Sequence, residues 1–109
     1  ELDRSPSPEA IRIVSGPVTI DLARHVVTVH GRTISLTRSE FQLLRLLAAR
    51  PGEVFARAQI MEELWQTEFD GDERACDVHI SNLRQKIETD AQRPELIQTV
   101  RGIGYKFAE

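Results

Sequence analysis

The sequence has one cysteine, few aromatic residues and no long hydrophobic run. Cys76 is the only cysteine among 109 residues, so no disulfide can form within the chain. No apolar stretch approaches the roughly 18 residues that a membrane-spanning helix needs. The first ten residues are polar and contain two prolines, unlike a secretory signal peptide. With 40% hydrophobic and 28% charged residues, the chain is typical of one globular domain, which we expect in the cytoplasm.

Basic residues are in a minority, since the formal net charge is −3. An acidic balance argues against a nucleic-acid partner. The acidity is local, however, because residues 58–73 hold six Asp and Glu side chains and no Lys or Arg. Outside that segment the 14 basic residues outnumber the acidic ones. The net charge therefore does not exclude DNA.

Composition changes near the start of the chain. Residues 1–10 contain two Ser-Pro steps, which disfavour helix and remove backbone donors. We predict that residues 1–10 are a linker from an upstream domain. Residues 11–109 then form the folded domain.

The first third of the folded domain predicts an antiparallel sheet. β-Branched residues in near alternation favour strands, and the segments Ser15–Pro17 and His30–Gly31 favour turns between them. The four predicted strands are Ile11–Val14, Val18–Asp21, Val26–Val29 and Thr33–Leu36.

Three helices follow this sheet. Thr37 and Glu40 form a capping box that predicts a helix over residues 37–50, and a second helix covers residues 57–66. The second helix lacks a capping side chain at Ala56. A third helix is predicted over residues 74–89. Its apolar residues Cys76, Ile80, Leu83 and Ile87 recur on one narrow face.

The opposite face of the third helix is polar and nearly uncharged. It comprises Arg74, Val78, Ser81, Asn82, Gln85 and Thr89. Residues 96–107 then predict a strand, a turn and a second strand, with Arg101 at the tip. Such a helix fits the major groove of DNA, and a hairpin beside it can bring an arginine to the narrow minor groove.

Three stretches in this order resemble the OmpR/PhoB family of response-regulator effector domains. They are LTRSEFQLLRLLAARPGEVFARAQIMEELW (36–65), RACDVHISNLRQKIE (74–88) and PELIQTVRGIGYKF (94–107). The resemblance implies an α+β winged helix-turn-helix fold with an N-terminal four-stranded sheet, three helices and a C-terminal hairpin wing. It implies sequence-specific binding of double-stranded DNA to control transcription, with helix 74–89 in the major groove and wing 97–107 at the minor groove.

The resemblance also assigns candidate DNA contacts. The family commonly contacts DNA at the positions held here by Arg74, His79, Arg84, Thr99, Arg101 and Tyr105. It meets bases or nearby phosphates at those of Val78, Ser81 and Asn82. We add Gln85 and Lys86 from the same helix. Several members have arginine where this chain has Ser81 or Asn82, so its target sequence should differ from theirs.

Partners are implied in the same way. The resemblance implies an upstream receiver domain, phosphorylated by a sensor histidine kinase. It also implies tandem binding of two copies to a direct repeat, and we expect the isolated domain to be a monomer. The acidic residues Glu68, Asp70 and Asp72 either contact RNA polymerase or only keep the domain soluble.

Other interpretations of the same residues are weaker. Cys76 and His79 lie one turn apart, but Cys76 is on the core stripe, which predicts packing and not metal binding or catalysis. Arg84 has an alternative partner in Glu88 at i+4. A one-component activator, or a winged helix used only for protein contacts, are the rival functions. The polar third helix and Arg101 favour DNA, and we predict no enzyme activity, metal or cofactor.

Overall fold

The computed structural model describes residues 12–65 and 74–108. It has an N-terminal sheet, three helices and a second, smaller sheet. The elements in chain order are β1 (Arg12–Ser15), β2 (Val18–Asp21), β3 (Val26–Val29), β4 (Arg32–Ile34), α1 (Arg38–Ala48), β5 (Phe55–Ala56), α2 (Arg57–Trp65), α3 (Arg74–Ile87), β6 (Ile97–Val100) and β7 (Gly104–Phe107). The predicted linker, residues 1–10, lies outside the described residues, as does Ile11.

The N-terminal sheet confirms the predicted antiparallel arrangement. Its strands follow one another in the order β1-β2-β3-β4. Alternation gives the sheet one buried face, formed by Val18, Ile20, Val27 and Val29. His30 and Gly31 turn the chain between β3 and β4 with φ of 52° and 81°. That left-handed conformation suits a glycine in a tight hairpin.

Helix α1 begins at the predicted capping box. The Glu40 backbone N–H donates to Thr37 Oγ1 at 3.2 Å, and the Thr37 N–H donates to Glu40 Oε1 at 2.9 Å. These two bonds satisfy amide groups that have no partner inside the helix. The buried face of α1 then packs on the N-terminal sheet and on the other helices. That face comprises Phe41, Leu43, Leu44, Leu47 and Ala48.

A two-residue strand, β5, was not predicted from the sequence. It pairs with β7, placing Phe55 opposite Tyr105 and Ala56 opposite Gly104, so the wing is part of a three-stranded sheet of order β5-β7-β6. A Cβ at Gly104 would lie 1.9 Å from the Phe55 carbonyl oxygen, so this pairing requires a glycine. At the start of α2, the Ala56 N–H donates to Gln59 Oε1 at 2.8 Å. Gln59 thus supplies half of a capping box that Ala56 cannot complete.

Helix α3 buries its apolar stripe against α1 and α2. Cys76 and Leu83 are fully buried, and Ile80 and Ile87 nearly so, which confirms their predicted place in the core. Helix α3 ends two residues earlier than predicted, at Ile87. The α+β winged-helix fold expected from the sequence is confirmed, with β6 and β7 as the wing. No helix among the described residues is long and apolar enough to cross a membrane.

Candidate nucleic-acid interface

One face of α3 is fully available to a partner. Val78, Ser81, Asn82, Gln85 and Thr89 are all exposed, and they lie opposite the core stripe. Val78 is 59% exposed and is the apolar side chain of this face. The face therefore offers hydroxyl and amide hydrogen-bonding groups around one apolar contact point. Thr89 follows the last helical residue.

The tip of the wing presents a cation. Residues 101–103 form the turn between β6 and β7, and Gly102 adopts φ of +78° there. The Ile103 N–H closes the turn on the Val100 carbonyl at 2.9 Å. Arg101 is exposed at this turn, beside Ile103, which is 60% exposed. The tip thus combines a guanidinium with an apolar side chain. The sequence predicted Arg101 at the tip and did not predict the exposure of Ile103.

Arg84 faces the wing and not the i+4 partner considered from the sequence. Its Nε and Nη2 donate to the Ile97 carbonyl oxygen at 3.1 and 2.8 Å, and Nη2 also donates to Thr99 Oγ1 at 2.9 Å. The guanidinium carbon lies 5.4 Å from the centre of the Tyr105 ring, within cation–π range. Glu88 instead accepts from the backbone N–H groups of Leu96 and of Ile97, the first residue of β6.

Tyr105 is only 6% exposed and anchors β7 to α3. Its hydroxyl donates to Asp77 Oδ1 at 2.5 Å, and the Arg57 Nε donates to the same oxygen at 2.9 Å. Burial and the neighbouring Asp77 carboxylate raise the pKa of Tyr105 to about 12. The Tyr105 hydroxyl and then Arg57 lower the pKa of Asp77, against the effect of its burial. This network joins α2, α3 and the wing.

Lys86 lies on the other flank of α3. Its Nζ is 2.6 Å from Glu40 Oε1, and Glu40 is 4% exposed. Burial opposes ionisation of Glu40, but Lys86 and the Thr37 backbone N–H outweigh it and lower the pKa of Glu40. The pair fixes the last turn of α3 to the first turn of α1. Part of the Lys86 charge is therefore already balanced within the protein.

Of the remaining candidate residues, two have side chains that the structure describes and four do not. His79 is half-buried beside the exposed face of α3, and Thr99 is exposed on the wing. Helix α3 begins at Arg74, whose side chain lies outside the described part of the chain. Glu68, Asp70 and Asp72 also lie outside it. The contacts of Asp77 with Arg57 and Tyr105, and of Glu40 with Lys86, were not predicted from the sequence, because these partners are remote in the chain. Glu88 was considered only as a partner of Arg84.

Metal binding finds no support in the part of the chain that the structure describes. No three His, Cys, Asp or Glu side chains there are grouped to hold an ion.

Comparison with known proteins gives consistent matches. Residues 31–107 match the family described as "Transcriptional regulatory protein, C terminal". The chain is 47% identical over 93 residues to the sensory transduction protein RegX3 of Mycobacterium tuberculosis, covering 85% of this chain and 41% of that protein. It is 42% identical over 105 residues to the DNA-binding response regulator MtrA of Mycolicibacterium smegmatis, covering 96% and 46%. The chain spans less than half the length of these curated relatives.

Solved structures agree on the fold. The response regulator DrrB, a Thermotoga maritima OmpR/PhoB homolog, superposes with a TM-score of 0.82 at 33% identity, covering 91% of this chain and 45% of that one. The RstA DNA-binding domain of Klebsiella pneumoniae, in complex with the RstA box, superposes with a TM-score of 0.78 at 36% identity. That match covers 89% of this chain and 96% of that domain.

Proposed function

The chain belongs to the OmpR/PhoB family of winged-helix effector domains of transcription regulators, and from this premise we propose that it binds a specific double-stranded DNA sequence to control transcription. One observation carries the proposal beyond the family assignment. The exposed, nearly uncharged face of α3 lies on the same domain as a wing whose turn carries the exposed Arg101. A protein-binding helix would instead concentrate apolar anchors at its centre.

The α3 face reads bases in the major groove. Asn82 can bond adenine through both its amide oxygen and its amide nitrogen, and Ser81 can donate to or accept from a base edge. Val78 suits the thymine methyl group, which would remove its apolar surface from water. The side chains around them, Arg74, His79, Gln85 and Lys86, contact the flanking bases or phosphates. Neutral side chains at Ser81 and Asn82 make the reading depend on hydrogen bonds more than on charge.

The wing supplies charge to the minor groove. A narrow minor groove has an enhanced negative potential, which attracts an inserted arginine such as Arg101. The exposed hydroxyl of Thr99 lies on the same strand and can donate to a phosphate. This contact adds affinity on most duplexes, whereas the α3 contacts choose among them.

The relatives suggest how the whole protein works. We propose an upstream receiver domain, joined through residues 1–10 and phosphorylated by a sensor histidine kinase, that promotes tandem binding of two copies to a direct repeat. The isolated domain is then a monomer in solution. Because the target is genomic DNA, the protein acts in the cytoplasm. Glu68, Asp70 and Asp72 contact RNA polymerase, and the domain itself carries out no chemical reaction.

Selection of bound sequences from a random pool of duplex DNA tests the proposal. We expect one enriched motif, present as two copies in the same orientation with centres about 10 base pairs apart, one helical turn. Affinity for that duplex should exceed affinity for its scrambled version by about 10³-fold or more. Equal affinity for both duplexes at physiological salt would contradict sequence-specific binding. A stable dimer of the isolated domain, detected by sedimentation without DNA, would contradict the proposed assembly.

A further inference from the structure

We propose that three charged side chains along α3 and just after its end, Asp77, Arg84 and Glu88, fix the orientation of the wing, and that Arg84 is a positioning residue for Arg101 and not a phosphate contact. The proposal rests on the DNA-binding function proposed above. It changes the role of Arg84 and adds two residues to the machinery of recognition.

The three residues form a stripe of their own on α3. At 100° per residue, positions 77, 84 and 88 fall within about 40° of one another on the helical wheel. Their stripe lies between the buried core stripe and the exposed face that includes Asn82. Helix α3 and its C-terminal end therefore present separate surfaces to the core, to the wing and to solvent.

Each member of the stripe contacts a different part of the wing. Glu88, at the base, accepts from the N–H groups of Leu96 and Ile97 at distances from 2.8 to 3.1 Å. Arg84 donates to the Ile97 carbonyl and to Thr99 Oγ1 on β6. Asp77 accepts from Tyr105 on β7. Contacts to both strands restrain the wing against sliding along α3 and against rotating away from it.

The backbone explains why this stripe is needed. Strand β6 lies at the edge of its three-stranded sheet, so one side of it has no neighbouring strand. Unpaired N–H and C=O groups at such an edge require other partners. Glu88 and Arg84 provide them, with a carboxylate for the Ile97 N–H and a guanidinium for its C=O. Arg84 of α3 and Glu88 just after it therefore supply, with opposite charges, the hydrogen bonds that a neighbouring strand would make.

The Arg84 guanidinium is already held against the wing. Its Nε and Nη2 already donate to wing acceptors, and its guanidinium lies over the Tyr105 ring. The planar fork that reaches Ile97 and Thr99 together has no equivalent in lysine. From Ile97 to Arg101 the strand rises roughly 13 Å, so a tilt of about 10° at the base would move the tip by roughly 2 Å. Loss of the Arg84 contacts should therefore displace Arg101.

A double-mutant cycle tests this role. Arg84→Lys and Arg84→Gln are each made with Arg101 present and in the Arg101→Ala background. Affinity is then measured on the selected duplex across a range of salt. Because both changes destroy the fork, we expect both to weaken binding by about tenfold when Arg101 is present, and by less than about twofold when it is absent. Arg45→Gln, on the exposed surface of α1, is the matched loss of charge and should leave specific affinity within about twofold.

The opposite pattern would overturn the proposal. If Arg84 contacts phosphate, Arg84→Lys should retain most of the affinity. Arg84→Gln should then lower the salt slope by about 1 in both backgrounds, additively with Arg101→Ala. Thermal unfolding verifies that each variant is folded. If Arg84→Gln is not, Arg84→Lys alone distinguishes the two roles, because lysine keeps the charge but lacks the planar fork.

A measurement without DNA separates this inference from the proposed function. Amide hydrogen exchange over residues 97–107 should accelerate in Arg84→Lys and Arg84→Gln and remain unchanged in Arg45→Gln. Unchanged exchange in both Arg84 variants would overturn the positioning role even if DNA binding is confirmed. Faster exchange in a domain that does not discriminate among duplexes would support the positioning role of Arg84 and contradict only the proposed function.

Discussion

The hydroxyl of Tyr105 donates to Asp77 Oδ1 at 2.5 Å, so the last strand of the wing is bonded directly to the helix beside it. Tyr105 also pairs with Phe55 of β5 and lies under the guanidinium of Arg84. A residue that the family resemblance assigned to DNA contact is thus nearly buried in this chain. Its hydroxyl proton is committed to a carboxylate of the protein.

This relationship predicts an unusual tyrosine titration. Tyr105 is the only tyrosine, so the ultraviolet absorbance of tyrosinate reports it alone. The midpoint in the folded domain should lie near the raised pKa of about 12, because burial and then Asp77 disfavour the phenolate. In Asp77→Asn the midpoint should fall, since a negative neighbour has been removed. A folded-state midpoint at the ordinary value of 10.0 would contradict the buried Tyr105–Asp77 contact.

The sign of the accompanying stability change follows from the same shift. The unfolded chain loses the tyrosine proton near pH 10.0, before the folded one does. The contribution of Tyr105 is therefore complete below about pH 10 and is lost as the pH rises towards 12. Tyr105→Phe should remove this part of the alkaline loss of stability.

Gly104 should tolerate no side chain. A Cβ there would lie 1.9 Å from the Phe55 carbonyl oxygen and 2.9 Å from the Ala56 Cα, both backbone atoms. Because backbone cannot move aside cheaply, Gly104→Ala should cost at least about 1–3 kcal/mol of unfolding free energy and separate β5 from β7. The matched control is Gly102→Asn in the wing turn, where a Cβ would meet nothing within 4 Å and asparagine accepts the positive φ. Equal denaturation midpoints for the two variants would contradict the β5–β7 pairing.

Local signals predicted most of the fold, and remote contacts account for what was missed. The capping box at Thr37 and the core stripe of α3 depend on spacings of three or four residues, which the sequence displays directly. Strand β5 has two residues, too few for any periodicity. It exists because Gly104 allows close approach from 48 positions further along the chain.

The same distinction applies to the candidate site. The exposure of Asn82, Val78 and Arg101 follows from helical periodicity and from the turn, and the structure confirms it. Arg84 finds its acceptors 13 and 15 residues away, whereas Lys86 pairs with Glu40 at a separation of 46. Charged residues beside an exposed face look like DNA contacts in a sequence. The folded chain shows which of them also have partners within the protein.

The acidic residues outside the described part of the chain give a test of the polymerase contact. The variant Glu68→Gln, Asp70→Asn and Asp72→Asn combined should reduce transcription from a target promoter in the full-length protein. DNA affinity should hold or rise slightly, because repulsion of phosphates is relieved. Unchanged transcription would indicate that these acids serve solubility alone. Equal loss of transcription and affinity would indicate misfolding and contradict the polymerase contact.

Asn82 should affect sequence preference without affecting the fold. Asn82→Ala removes an exposed side chain, so the free energy of unfolding should change by less than about 0.5 kcal/mol. Binding to the selected duplex should weaken by roughly 1–3 kcal/mol, and preference at one base pair should relax. Ile80→Ala is the core control on the same helix, where lost packing should cost roughly 2–5 kcal/mol of stability. Unaltered preference at every base pair in Asn82→Ala would remove Asn82 from the reading face.

Arg101 should contribute to the affinity for DNA in general more than to the preference for one base sequence. It is exposed at the wing turn, so Arg101→Ala should leave the free energy of unfolding within about 0.5 kcal/mol of the wild type. The minor groove offers this cation a potential that depends on groove width more than on base identity, so binding should weaken on most duplexes. Without this cation, binding should release about one counterion fewer. The slope of log affinity against log salt should therefore become smaller in magnitude by about 1. Asn82→Ala is the matched comparison, since removal of a neutral side chain should leave that slope unchanged. If folded Arg101→Ala binds the selected and scrambled duplexes with wild-type affinity and salt dependence, the wing does not touch DNA, and recognition rests on α3 alone.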